Sequence, residues 1–475
     1  MKLFKLIKNY RCRVVGNANV EILGLYHKDT EVKSGGLFFC LRGTRVDGVE
    51  FLNSAIKNGA VAIVTEQEIP NLFKVTQIIV KNARDAMSRL AAEFFGNPAS
   101  KLKIIGVTGT NGKTTITTMI SKVFEYVGKK VALIGTNGVF ICGKKYDSEM
   151  TTPDPIELHN YFLKMVKAKC EYVCMEVSAH ALDLFKLEGF KFDVSVFTNL
   201  TEDHLDYFKT MDKYFEAKEK LFLSKHSKFA ILNIDDDYSK LIAERINIPF
   251  KTYSINDKAS YFATKIKCIE SKQEFYFNNS YKFVINMAGR FNVSNTLAAI
   301  SVLKHFEIDI YDIKKAFENM SAIDGRFNLF LVSGVKVIVD YAHTPDGLEN
   351  LLKTALELKE DKKLIVLFGC GGNREMQKRA KMGEISSKYA DFVIISTDNP
   401  RFESREKIAR DIEKGLTHSN YLIELDRSCA IKKGFEMTNS GDVFVIAGKG
   451  AEKYIDENGV KVPYSDYEEI EKFRR

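Results

Sequence analysis

Long apolar runs alternate with segments of helix length over most of this chain. Between residues 101 and 233, runs rich in Val, Ile, Leu and Phe occupy 103–107, 131–135, 172–177, 194–200 and 229–233. Runs that are apolar at nearly every position predict strands buried on both faces, as in a parallel sheet covered by helices. The pattern therefore predicts a doubly wound α/β domain, in which ligand-binding loops follow the carboxyl ends of the strands.

The two ends of the chain show different patterns. The first 97 residues mix short strands, at 20–25, 36–41 and 61–64, with helical pieces. The end of the chain repeats the alternating β/α pattern, with apolar runs at 335–340, 363–368, 392–397 and 443–447. A second α/β sheet is therefore predicted there.

Breaks in these patterns suggest the domain boundaries. The turn residues of Gly96 to Ser100 predict a linker. A less regular stretch, 251–283, and a helix predicted over 292–306 close the central part. We therefore predict an α/β protein of three domains: a mixed α/β domain at 1–97, a central P-loop ATPase-like parallel-sheet domain at 98–326 and a C-terminal Rossmann-like α/β domain at 327–475.

A glycine-rich turn follows the first apolar run of the central domain. Residues 106–115 read Gly-Val-Thr-Gly-Thr-Asn-Gly-Lys-Thr-Thr and lead into a helix-like segment. Glycines let backbone N–H groups converge on phosphate oxygens, Lys113 supplies a positive charge, and the Thr114 hydroxyl suits a magnesium ion. Val107 stands where the usual Gly-x-x-x-x-Gly-Lys-Thr motif has its first glycine. The turn predicts a nucleotide-phosphate site made of Gly109, Thr110, Asn111, Gly112, Lys113, Thr114 and Thr115.

Two polar residues at strand ends of the same domain are candidate magnesium ligands. Glu176 lies in the run 172–177, and His204 follows the run 194–200 in company with Asp203 and Asp206. A Glu inside an apolar strand is costly unless it is paired or binds a metal, so Glu176 and His204 are predicted to bind the Mg²⁺ that accompanies ATP. Lys218 lies on an amphipathic helix predicted over 214–222, where the sequence by itself indicates a solvated lysine.

Polar residues also surround the predicted junction of the central and C-terminal domains. Asn292 and Asn295 open a helix, where amide side chains serve as N-caps but also suit the edges of a purine ring. Asp340 and His343 end the first predicted strand of the C-terminal domain. Arg326 lies just before that domain, where a hinge would bring it near ATP.

Another strand of the C-terminal domain ends in Asp398-Asn399-Pro400-Arg401. Loops at this edge of an α/β sheet usually bind ligands. An Arg there can hold a carboxylate through two hydrogen bonds, although an ordinary surface arginine after a turn looks the same in sequence.

Composition narrows the class of protein. The 475 residues are 45% hydrophobic and 28% charged, as is typical of soluble globular proteins. The net charge of +8 comes from scattered Lys and Arg, so no nucleic-acid partner is predicted. Without an apolar run of membrane-spanning length or a signal-peptide pattern, we predict a cytoplasmic protein with no stable membrane insertion. The eight Cys lack zinc-site spacing and are expected to be buried free thiols, with Cys170 and Cys174 at helical spacing.

Taken in order, these segments resemble the Mur ligase family of ATP-dependent amide-forming enzymes over nearly the whole chain. Besides 106–115, the resemblance rests on Met-Glu-Val-Ser-Ala-His-Ala-Leu at 175–182, Asn-Leu-Thr-Glu-Asp-His-Leu-Asp at 199–206, Gly-Arg-Phe-Asn-Val-Ser-Asn at 289–295 and Asp-Tyr-Ala-His-Thr-Pro-Asp at 340–346. Thr151-Thr152-Pro153, Asp398 to Arg401 and Gly448 to Glu452 resemble the branch that adds the third residue to the peptide of UDP-MurNAc-L-Ala-D-Glu.

The resemblance implies a monomeric ligase of peptidoglycan precursor synthesis that uses ATP and Mg²⁺. ATP would phosphorylate the D-Glu carboxylate, and an amine would then attack the acyl phosphate. Lys113, Glu176, His204 and Lys218 are implied to be catalytic, and Lys218 is implied to be carbamylated (N6-carboxylysine) so that its new oxygens bind a second magnesium. Metal ligands would be Thr114, Glu176, His204 and the Lys218 carbamate.

The resemblance also implies three substrate sites. The ATP site combines the glycine-rich turn with Asn292, Asn295, Arg326, Asp340 and His343. The UDP-MurNAc-dipeptide site contains Gly43, Arg45, Thr151, Thr152 and Ser178. The site for the incoming amino acid contains Arg374, Asp398, Asn399, Pro400, Arg401, Gly448 and Glu452.

In that branch, Asp-Asn-Pro-Arg is associated with meso-diaminopimelate, whose second carboxylate the Arg holds, and lysine-adding relatives usually lack that Arg. Lanthionine, another diamino dicarboxylic acid, would satisfy the same residues. Two departures affect the substrate sites. Lys28-Asp29-Thr30 replaces the Asp-Ser-Arg that helps hold UDP, so Gly43 to Gly48 is expected to supply more of those contacts. Ala451 stands where many relatives have His.

Three alternatives stay open at this point. The chain could be a lysine-adding synthetase, or a ligase of another Mur step or of the folylpolyglutamate type. From a different class, it could be a P-loop ATPase that acts as a switch and forms no bond.

Overall fold

The computed structural model describes residues 1–43, 46–72, 74–148, 150–269 and 271–474, and three large β-sheets follow one another along it. The N-terminal sheet has five strands in the order β1-β5-β4-β3-β2, of which β1 is antiparallel to β5 and the others are parallel. Its elements are α1 Leu3–Leu6, β1 Arg13–Val15, β2 Gly24–Tyr26, β3 Gly36–Phe39, α2 Leu52–Lys57, β4 Ala60–Thr65, β5 Thr76–Ile79 and α3 Ala83–Phe94.

The central sheet has eleven strands. Its strands are β6 Lys103–Thr108, β7 Val131–Gly135, β8 Gly138–Ile141, β9 Lys144–Tyr146, β10 Tyr172–Glu176, β11 Val194–Phe197, β12 Ala230–Asn233, β13 Phe250–Ser254, β14 Tyr261–Ile269, β15 Lys272–Phe277 and β16 Tyr281–Ile285. The helices of this part are α4 Lys113–Tyr126, α5 Pro155–Lys167, α6 Ala179–Asp183, α7 Leu205–Phe208, α8 Met211–Glu219, α9 Asp237–Arg245, α10 Arg290–His305 and α11 Ile310–Asn319.

The strand order of the central sheet is β16-β15-β14-β13-β12-β11-β6-β10-β7-β8-β9. The seven strands from β14 to β7 are parallel, as predicted, and β6, β10 and β11 lie side by side at the centre. An antiparallel extension flanks them on each side, formed by β15 and β16 and by β8 and β9. The prediction of a parallel sheet is therefore incomplete, because it missed both edges.

The C-terminal sheet has six strands in the order β17-β18-β22-β19-β20-β21, of which only β17 runs antiparallel. The elements are β17 Asn328–Val332, β18 Val335–Asp340, α12 Pro345–Lys359, β19 Leu364–Phe368, α13 Gln377–Tyr389, β20 Phe392–Ile395, α14 Arg405–Glu413, β21 Tyr421–Ile423, α15 Arg427–Met437, β22 Val443–Ala447, a two-stranded pair of β23 Tyr454–Glu457 and β24 Val460–Pro463, and α16 Asp466–Glu471.

The sheets confirm the predicted α/β class, while the exact boundaries after residues 97 and 326 stay a prediction. Two expectations about the thiols were wrong. Cys174 lies on β10 rather than a helix, and three of the eight Cys (142, 268 and 429) are exposed. Within the described residues, no helix is long and apolar enough to cross a bilayer.

The parallel pairing at the centre of the second sheet positions the chemistry. Every side chain of β10 is buried, and its last residue, Glu176, pairs in register with Val107 of β6. The carboxyl ends of β6, β10 and β11 therefore open at one edge, where each strand continues into a polar loop.

Candidate active site

A cleft of about 380 Å³ separates the central domain from the C-terminal domain. Loops at the carboxyl ends of strands in both sheets form its walls. Most of the residues predicted from the sequence line it, namely Thr110, Asn111, Gly112, Lys113, Thr114, Thr115, Thr151, Glu176, Ser178, His204, Lys218, Asn292, Asn295, Arg326, Asp340, His343, Arg374, Asp398, Asn399, Arg401, Gly448 and Glu452.

The other predicted residues lie behind or away from these walls. Gly109 and Pro400 adjoin cleft residues along the chain. Thr152 is buried, and its Oγ1 donates a hydrogen bond to the carbonyl oxygen of Glu176 over 3.0 Å. Gly43 belongs to the N-terminal domain, and Arg45 lies outside the described residues.

Glycine is required twice in the phosphate loop between β6 and α4. Gly109 has a φ of 147°, and a Cβ there would lie 1.8 Å from Thr198 Oγ1. Gly112 has a φ of 88°, and its Cβ would lie 2.6 Å from Asn295 Oδ1. A larger residue at either position would therefore strain the backbone and push aside a neighbouring polar side chain.

The loop is held by the strand beside it. Thr198 Oγ1 donates to the carbonyl oxygen of Asn111 over 2.7 Å, and the Asn111 N–H donates to Asn199 Oδ1 over 2.9 Å. Lys113 Nζ donates to two carbonyl oxygens of the loop, 2.9 Å from that of Gly109 and 2.8 Å from that of Thr110. The ammonium group thus lies inside the loop that the sequence predicted for phosphate.

Glu176 and Thr114 supply hard oxygen atoms beside this loop. Glu176 is only 2% exposed, and its two carboxylate oxygens accept hydrogen bonds from the N–H and the hydroxyl of Thr136, at 2.9 and 3.1 Å. The hydroxyl oxygen of Thr114 accepts a hydrogen bond from Arg326 Nη2 over 2.9 Å. Arg326 therefore reaches from the domain junction to the start of α4, as the hinge argument predicted.

His204 lies across the cleft in a left-handed backbone conformation, with a φ of 58°. Its Nε2 is 3.4 Å from Asp203 Oδ2, while Lys378 Nζ of the C-terminal domain is 3.7 Å from Asp203 Oδ1. Burial lowers the pKa of His204 to about 3, although Asp203 opposes this shift. The imidazole is therefore neutral near neutral pH and can bind a cation through a ring nitrogen.

Lys218 is buried, contrary to the solvated position that the sequence indicated. Its side chain is 1% exposed, and Nζ donates to the carbonyl oxygen of Gly109 over 2.8 Å. Burial lowers its pKa well below the usual range for lysine, and the nearby Lys113 adds to the effect. The prediction failed because Lys218 falls on the apolar stripe of its helix, four residues after the buried Tyr214. That spacing was the signal that could have revealed it.

The residues assigned to ATP from the C-terminal side surround a buried carboxylate. Asp340 Oδ2 and Oδ1 accept hydrogen bonds from the N–H groups of Phe327 and Ala342, both over 2.7 Å. Burial raises the pKa of Asp340, and Arg326 partly offsets this. Asn292 and Asn295 lie opposite on α10, which begins at Arg290, two residues earlier than predicted. Asn295 Nδ2 donates to Asn292 Oδ1 over 3.2 Å.

The predicted amino-acid site is built from the loops after β20 and β22. Asn399 Nδ2 donates to Glu452 Oε2 over 2.9 Å, and the fully buried Lys449 lies between them. Lys449 Nζ donates to Asn399 Oδ1 and to Glu452 Oε2, both over 3.1 Å. Gly448 has a φ of 110°, and a Cβ there would lie 2.6 Å from Asp398 Oδ2. The two loops are therefore joined by buried hydrogen bonds.

Arg401 points its guanidinium group along one wall of this site. Nη1 donates to the carbonyl oxygen of Gly372 over 2.8 Å, and Nε lies 3.8 Å from Asp456 Oδ2. Arg401 lines the cleft beside the exposed Arg374, and within the described residues these two contacts use only Nη1 and Nε. Two arginines on one wall suit an acidic group on the ligand.

A buried ion pair lies behind the same loops. Both Arg427 and Asp466 are almost fully buried, and Arg427 Nε and Nη2 donate to the two Asp466 carboxylate oxygens over 2.8 and 2.9 Å. Arg427 also donates to the carbonyl oxygens of Thr397, over 3.2 Å, and Ala447, over 3.0 Å. These carbonyls directly precede Asp398 and Gly448, so the pair supports both loops of the predicted amino-acid site.

Sequence reasoning missed several residues of the cleft. Thr136 follows β7 in a hairpin that was not predicted, so its contact with Glu176 was not foreseen. Lys378 belonged to no motif, because a lysine just after a helix start has no distinctive pattern. Lys449 lies within the motif Gly448 to Glu452 but was not singled out as a site residue. Asp346 lies at the end of the motif at 340–346, but its hydrogen-bond partner, Asn111, lies 235 residues away in sequence, so their contact was not foreseen.

Models of three domains of one family match successive parts of the chain. They are described as "Mur ligase family, catalytic domain" at residues 21–95, "Mur ligase middle domain" at 107–303 and "Mur ligase, glutamate ligase domain" at 325–450. A curated relative from Clostridium acetobutylicum, UDP-N-acetylmuramoyl-L-alanyl-D-glutamate--2,6-diaminopimelate ligase 1, is 41% identical over 96% of this chain and 95% of its own length. This chain belongs to the Mur ligase family.

Two further comparisons agree with that membership. A UDP-N-acetylmuramoyl-L-alanyl-D-glutamate--2,6-diaminopimelate ligase from Aquifex aeolicus is 41% identical over 94% of this chain and 92% of its own length. A solved structure of a UDP-N-acetylmuramoyl-L-alanyl-D-glutamate--2,6-diaminopimelate ligase superposes with a TM-score of 0.70, at 28% identity and over 99% of this chain and 98% of that one. A MurF from Acinetobacter baumannii, at 17% identity and a TM-score of 0.64, covering 94% of this chain and 95% of its own, shares the fold.

Proposed function

We propose that this chain is an ATP-dependent ligase that joins 2,6-diaminopimelate to UDP-MurNAc-L-Ala-D-Glu during peptidoglycan precursor synthesis. One observation carries the proposal: the phosphate loop with Lys113 and the loops with Arg401 and Glu452 line one cleft. Relatives at 38–41% identity that carry the name of this ligase support the choice of reaction. A cytoplasmic monomer remains our prediction.

The proposed reaction has two steps. An oxygen of the D-Glu carboxylate attacks the γ-phosphorus of ATP, ADP leaves, and an acyl phosphate forms. The amine of diaminopimelate then attacks the acyl carbon, and the tetrahedral intermediate loses phosphate as the amide bond forms and the amine gives up a proton. Lys113 stabilises the negative charge on the transferring phosphoryl group, which is the part of the substrate where charge is most concentrated.

ATP would lie between the central domain and the domain junction. The N–H groups of residues 109–115 and the N-terminus of α4 would hold its phosphates, and Arg326 would leave Thr114 to contact them. Asn292 and Asn295 are proposed to contact the nucleotide from α10, and Asp340 and His343 from the facing domain. A nucleotide in this position would be held by both domains at once.

The residues of the cleft suit magnesium as a partner of ATP. Within the described residues, no three His, Cys, Asp or Glu side chains lie close enough to hold a metal ion by themselves. Magnesium that is bound to a nucleotide needs only one or two protein ligands, since phosphate oxygens and water complete its coordination shell. Thr114, Glu176 and His204 are the proposed protein ligands, and bound magnesium would neutralise phosphate charge.

A carbamate on Lys218 would supply further oxygen ligands. Burial lowers the pKa of Lys218 and so favours the unprotonated amine, which is the form that can add to carbon dioxide. The new carboxylate would lie beside the phosphate loop, because Lys218 Nζ already contacts Gly109. We propose this modification as the reason why a lysine is buried there.

The dipeptide end of the nucleotide substrate is proposed to contact Thr151, Thr152 and Ser178. Thr151 and Ser178 line the cleft, and Thr152 Oγ1 accepts a hydrogen bond from the Ser178 N–H over 3.1 Å. This contact fixes the start of α6 beside Glu176. The UDP end is proposed to lie toward the N-terminal domain, near Gly43 and Arg45.

The incoming amino acid is proposed to lie between Arg401 and Glu452. Arg401, with Arg374, would hold the distal carboxylate, while Asp398, Asn399, Pro400, Gly448 and Glu452 would surround the amino-acid end. An acid with two carboxylates satisfies this arrangement, whereas lysine would place an ammonium group against arginine. Diaminopimelate and lanthionine both meet the requirement.

Phosphate release tests the proposal directly. The purified chain is incubated with MgATP and with every combination of UDP-MurNAc-dipeptide, diaminopimelate, lanthionine and lysine. We expect rapid phosphate release only when the dipeptide and a diamino dicarboxylic acid are both present. Release that needs neither substrate would favour a P-loop switch, and a strong preference for lysine would overturn the assignment of Arg401.

A further inference from the structure

Two thiols outside the cleft lie close together on the central sheet. The Sγ atoms of Cys142 and Cys170 are 3.4 Å apart. Cys142 is exposed, and Cys170 is buried. Because a disulfide bond is about 2.05 Å long, the two sulfurs need to approach by little more than an ångström to bond.

The backbone on both sides of this pair is attached to the start of β7. The N–H of Cys142 donates to the carbonyl oxygen of Val131 over 3.1 Å. On the other side, the N–H of Glu171 donates to the carbonyl oxygen of Lys130 over 2.8 Å. Val131, the first residue of β7, and Lys130, directly before it, therefore hold both cysteine-bearing segments in place, and the short distance between the sulfurs follows from the sheet.

Cys142 occupies an unusual backbone position for its residue type. It has a φ of 48° and is followed by Gly143 with a φ of 81°, in the turn between β8 and β9. Turns with two successive left-handed residues favour Asn, Asp or Gly at the first position. Cys142 is therefore held at a conformational cost. This second observation is independent of the distance between the sulfurs and singles out Cys142.

We propose that Cys142 and Cys170 form a modification site for thiol–disulfide exchange, which takes a small disulfide such as oxidised glutathione as its oxidant. The thiolate of the exposed Cys142 attacks one sulfur of the small disulfide, whose other sulfur leaves as a thiol. The thiolate of Cys170 then attacks Cys142 Sγ and releases the second small thiol. In total the two protein thiols lose two electrons and two protons, and one small disulfide becomes two thiols.

The order of the two steps follows from exposure. Only Cys142 can meet an oxidant from solution, and Cys170 acts as the resolving thiol. Burial, with the hydrogen bond to Cys142, raises the pKa of Cys170 to about 12, so Cys170 reacts with an oxidant less readily than an ordinary thiol. Reversible disulfides of this kind are known from reducing compartments as transient or sensing bonds.

The bond would close the segment 142–170, which includes α5 and the residues Thr151 and Thr152. Thr152 is hydrogen-bonded to Glu176 at one end of β10, whereas Cys170 lies just before the other end. The disulfide would therefore restrain both ends of the segment that presents Thr151 to the cleft, without touching the cleft. Cross-linking a segment of this length restricts the unfolded chain and so raises the melting temperature.

The full-length protein is equilibrated with glutathione buffers from fully reduced to fully oxidised, quenched in acid, unfolded and alkylated. We expect the most oxidising buffers to join two of the eight cysteines in a disulfide within the chain, while exposed thiols elsewhere carry glutathione at most. Peptide mapping should find a Cys142–Cys170 cross-link, and the melting temperature should rise by several degrees. Excess reduced glutathione should reverse both changes.

Three serine variants separate this pair from general thiol oxidation. Cys429→Ser, which removes an exposed thiol on α15, should form the same cross-link as the unmodified chain. Cys170→Ser should stop at a mixed disulfide on Cys142, and Cys142→Ser should form no disulfide between two of its own cysteines. The peptide map of the unsubstituted chain tests the proposed cross-link without any substitution, so the test does not depend on how a variant folds. Absence of the Cys142–Cys170 peptide, or glutathione adducts in its place, would overturn the proposal.

Discussion

Asn111 of the phosphate loop donates a hydrogen bond from Nδ2 to Asp346 Oδ2 of the C-terminal domain over 2.8 Å. Asp346 opens α12, and its other carboxylate oxygen accepts a hydrogen bond from Asn350 over 3.1 Å. This hydrogen bond joins the C-terminal wall of the cleft directly to the nucleotide loop. The position of the C-terminal domain is thus linked to the conformation of the loop that would hold phosphate.

Asp346→Ala should loosen this link between the domains. A hydrogen bond to a charged group contributes about 1.5–3 kcal/mol, so we expect kcat/KM for ATP to fall about tenfold or more. The radius of gyration measured by X-ray scattering without nucleotide should increase. Glu349→Ala is the matched control, because it removes contacts to Lys353 and Tyr389 that lie within the C-terminal domain. Equal kinetics and scattering in both variants would contradict the role of Asp346.

Lys218→Ala should abolish most ligase activity while the chain stays folded. The alanine variant has no amine to carry a carbamate, but a bicarbonate ion or a short carboxylic acid can enter the vacated space and supply the missing oxygens. We expect acetate or bicarbonate at high concentration to recover part of the activity, as measured by phosphate release. Lys213→Ala, an exposed lysine on the same helix, should retain full activity and show no such response. Full activity of Lys218→Ala would refute the modification.

Arg401→Ala should weaken the binding of one substrate only, the incoming amino acid. Loss of a charged hydrogen bond to the distal carboxylate, about 1.5–3 kcal/mol, should raise KM for diaminopimelate about ten- to a hundredfold. The KM for ATP should change little, because Arg401 belongs to the other end of the cleft. Arg405→Ala removes a nearby arginine that pairs with Glu457 and should leave both constants close to their original values. A general loss of kcat with unchanged KM would argue against direct contact with the amino acid.

His159 predicts how stability depends on pH. It is fully buried between the rings of Phe162 and Phe190, neither ring nitrogen has a hydrogen-bond partner among the described residues, and burial lowers its pKa to about 4. Below pH 6.5 the unfolded chain takes up a proton that the folded chain refuses, so stability is lost as the pH falls from 6.5 toward 4. The contribution has a slope of about 1.4 kcal/mol per pH unit.

His159→Phe should remove that slope. At pH 7.5 we expect equal or slightly greater stability, because the variant no longer buries two polar atoms without partners. Urea unfolding at pH 7.5, 6 and 5 gives the free energies to compare. The difference between the two proteins should widen as the pH falls, and parallel pH profiles would show that His159 is protonated in the folded chain.

Local sequence patterns were sufficient to predict the features that lie within a single segment of the chain. The turn at Gly109–Thr115 and the loop at Asp398–Arg401 each follow a buried strand, so their position at the edge of a parallel sheet was predictable. The hairpin of β7 and β8 was missed although only Thr136 and Asn137 separate the strands, because the apolar run was assigned to a parallel sheet. Contacts such as Lys378 with Asp203 depend on how two domains meet, and no local pattern encodes them.

The pair of Arg427 and Asp466 gives α16 an indirect part in the proposed substrate binding. A premature stop codon or frameshift just before Asp466 would delete α16 together with the carboxylate that neutralises a fully buried guanidinium group. That group contacts the carbonyls that precede Asp398 and Gly448, so its displacement would disturb both amino-acid loops at once. A chain cut there would keep every described residue that lines the cleft, and we still expect it to fail to bind the amino acid.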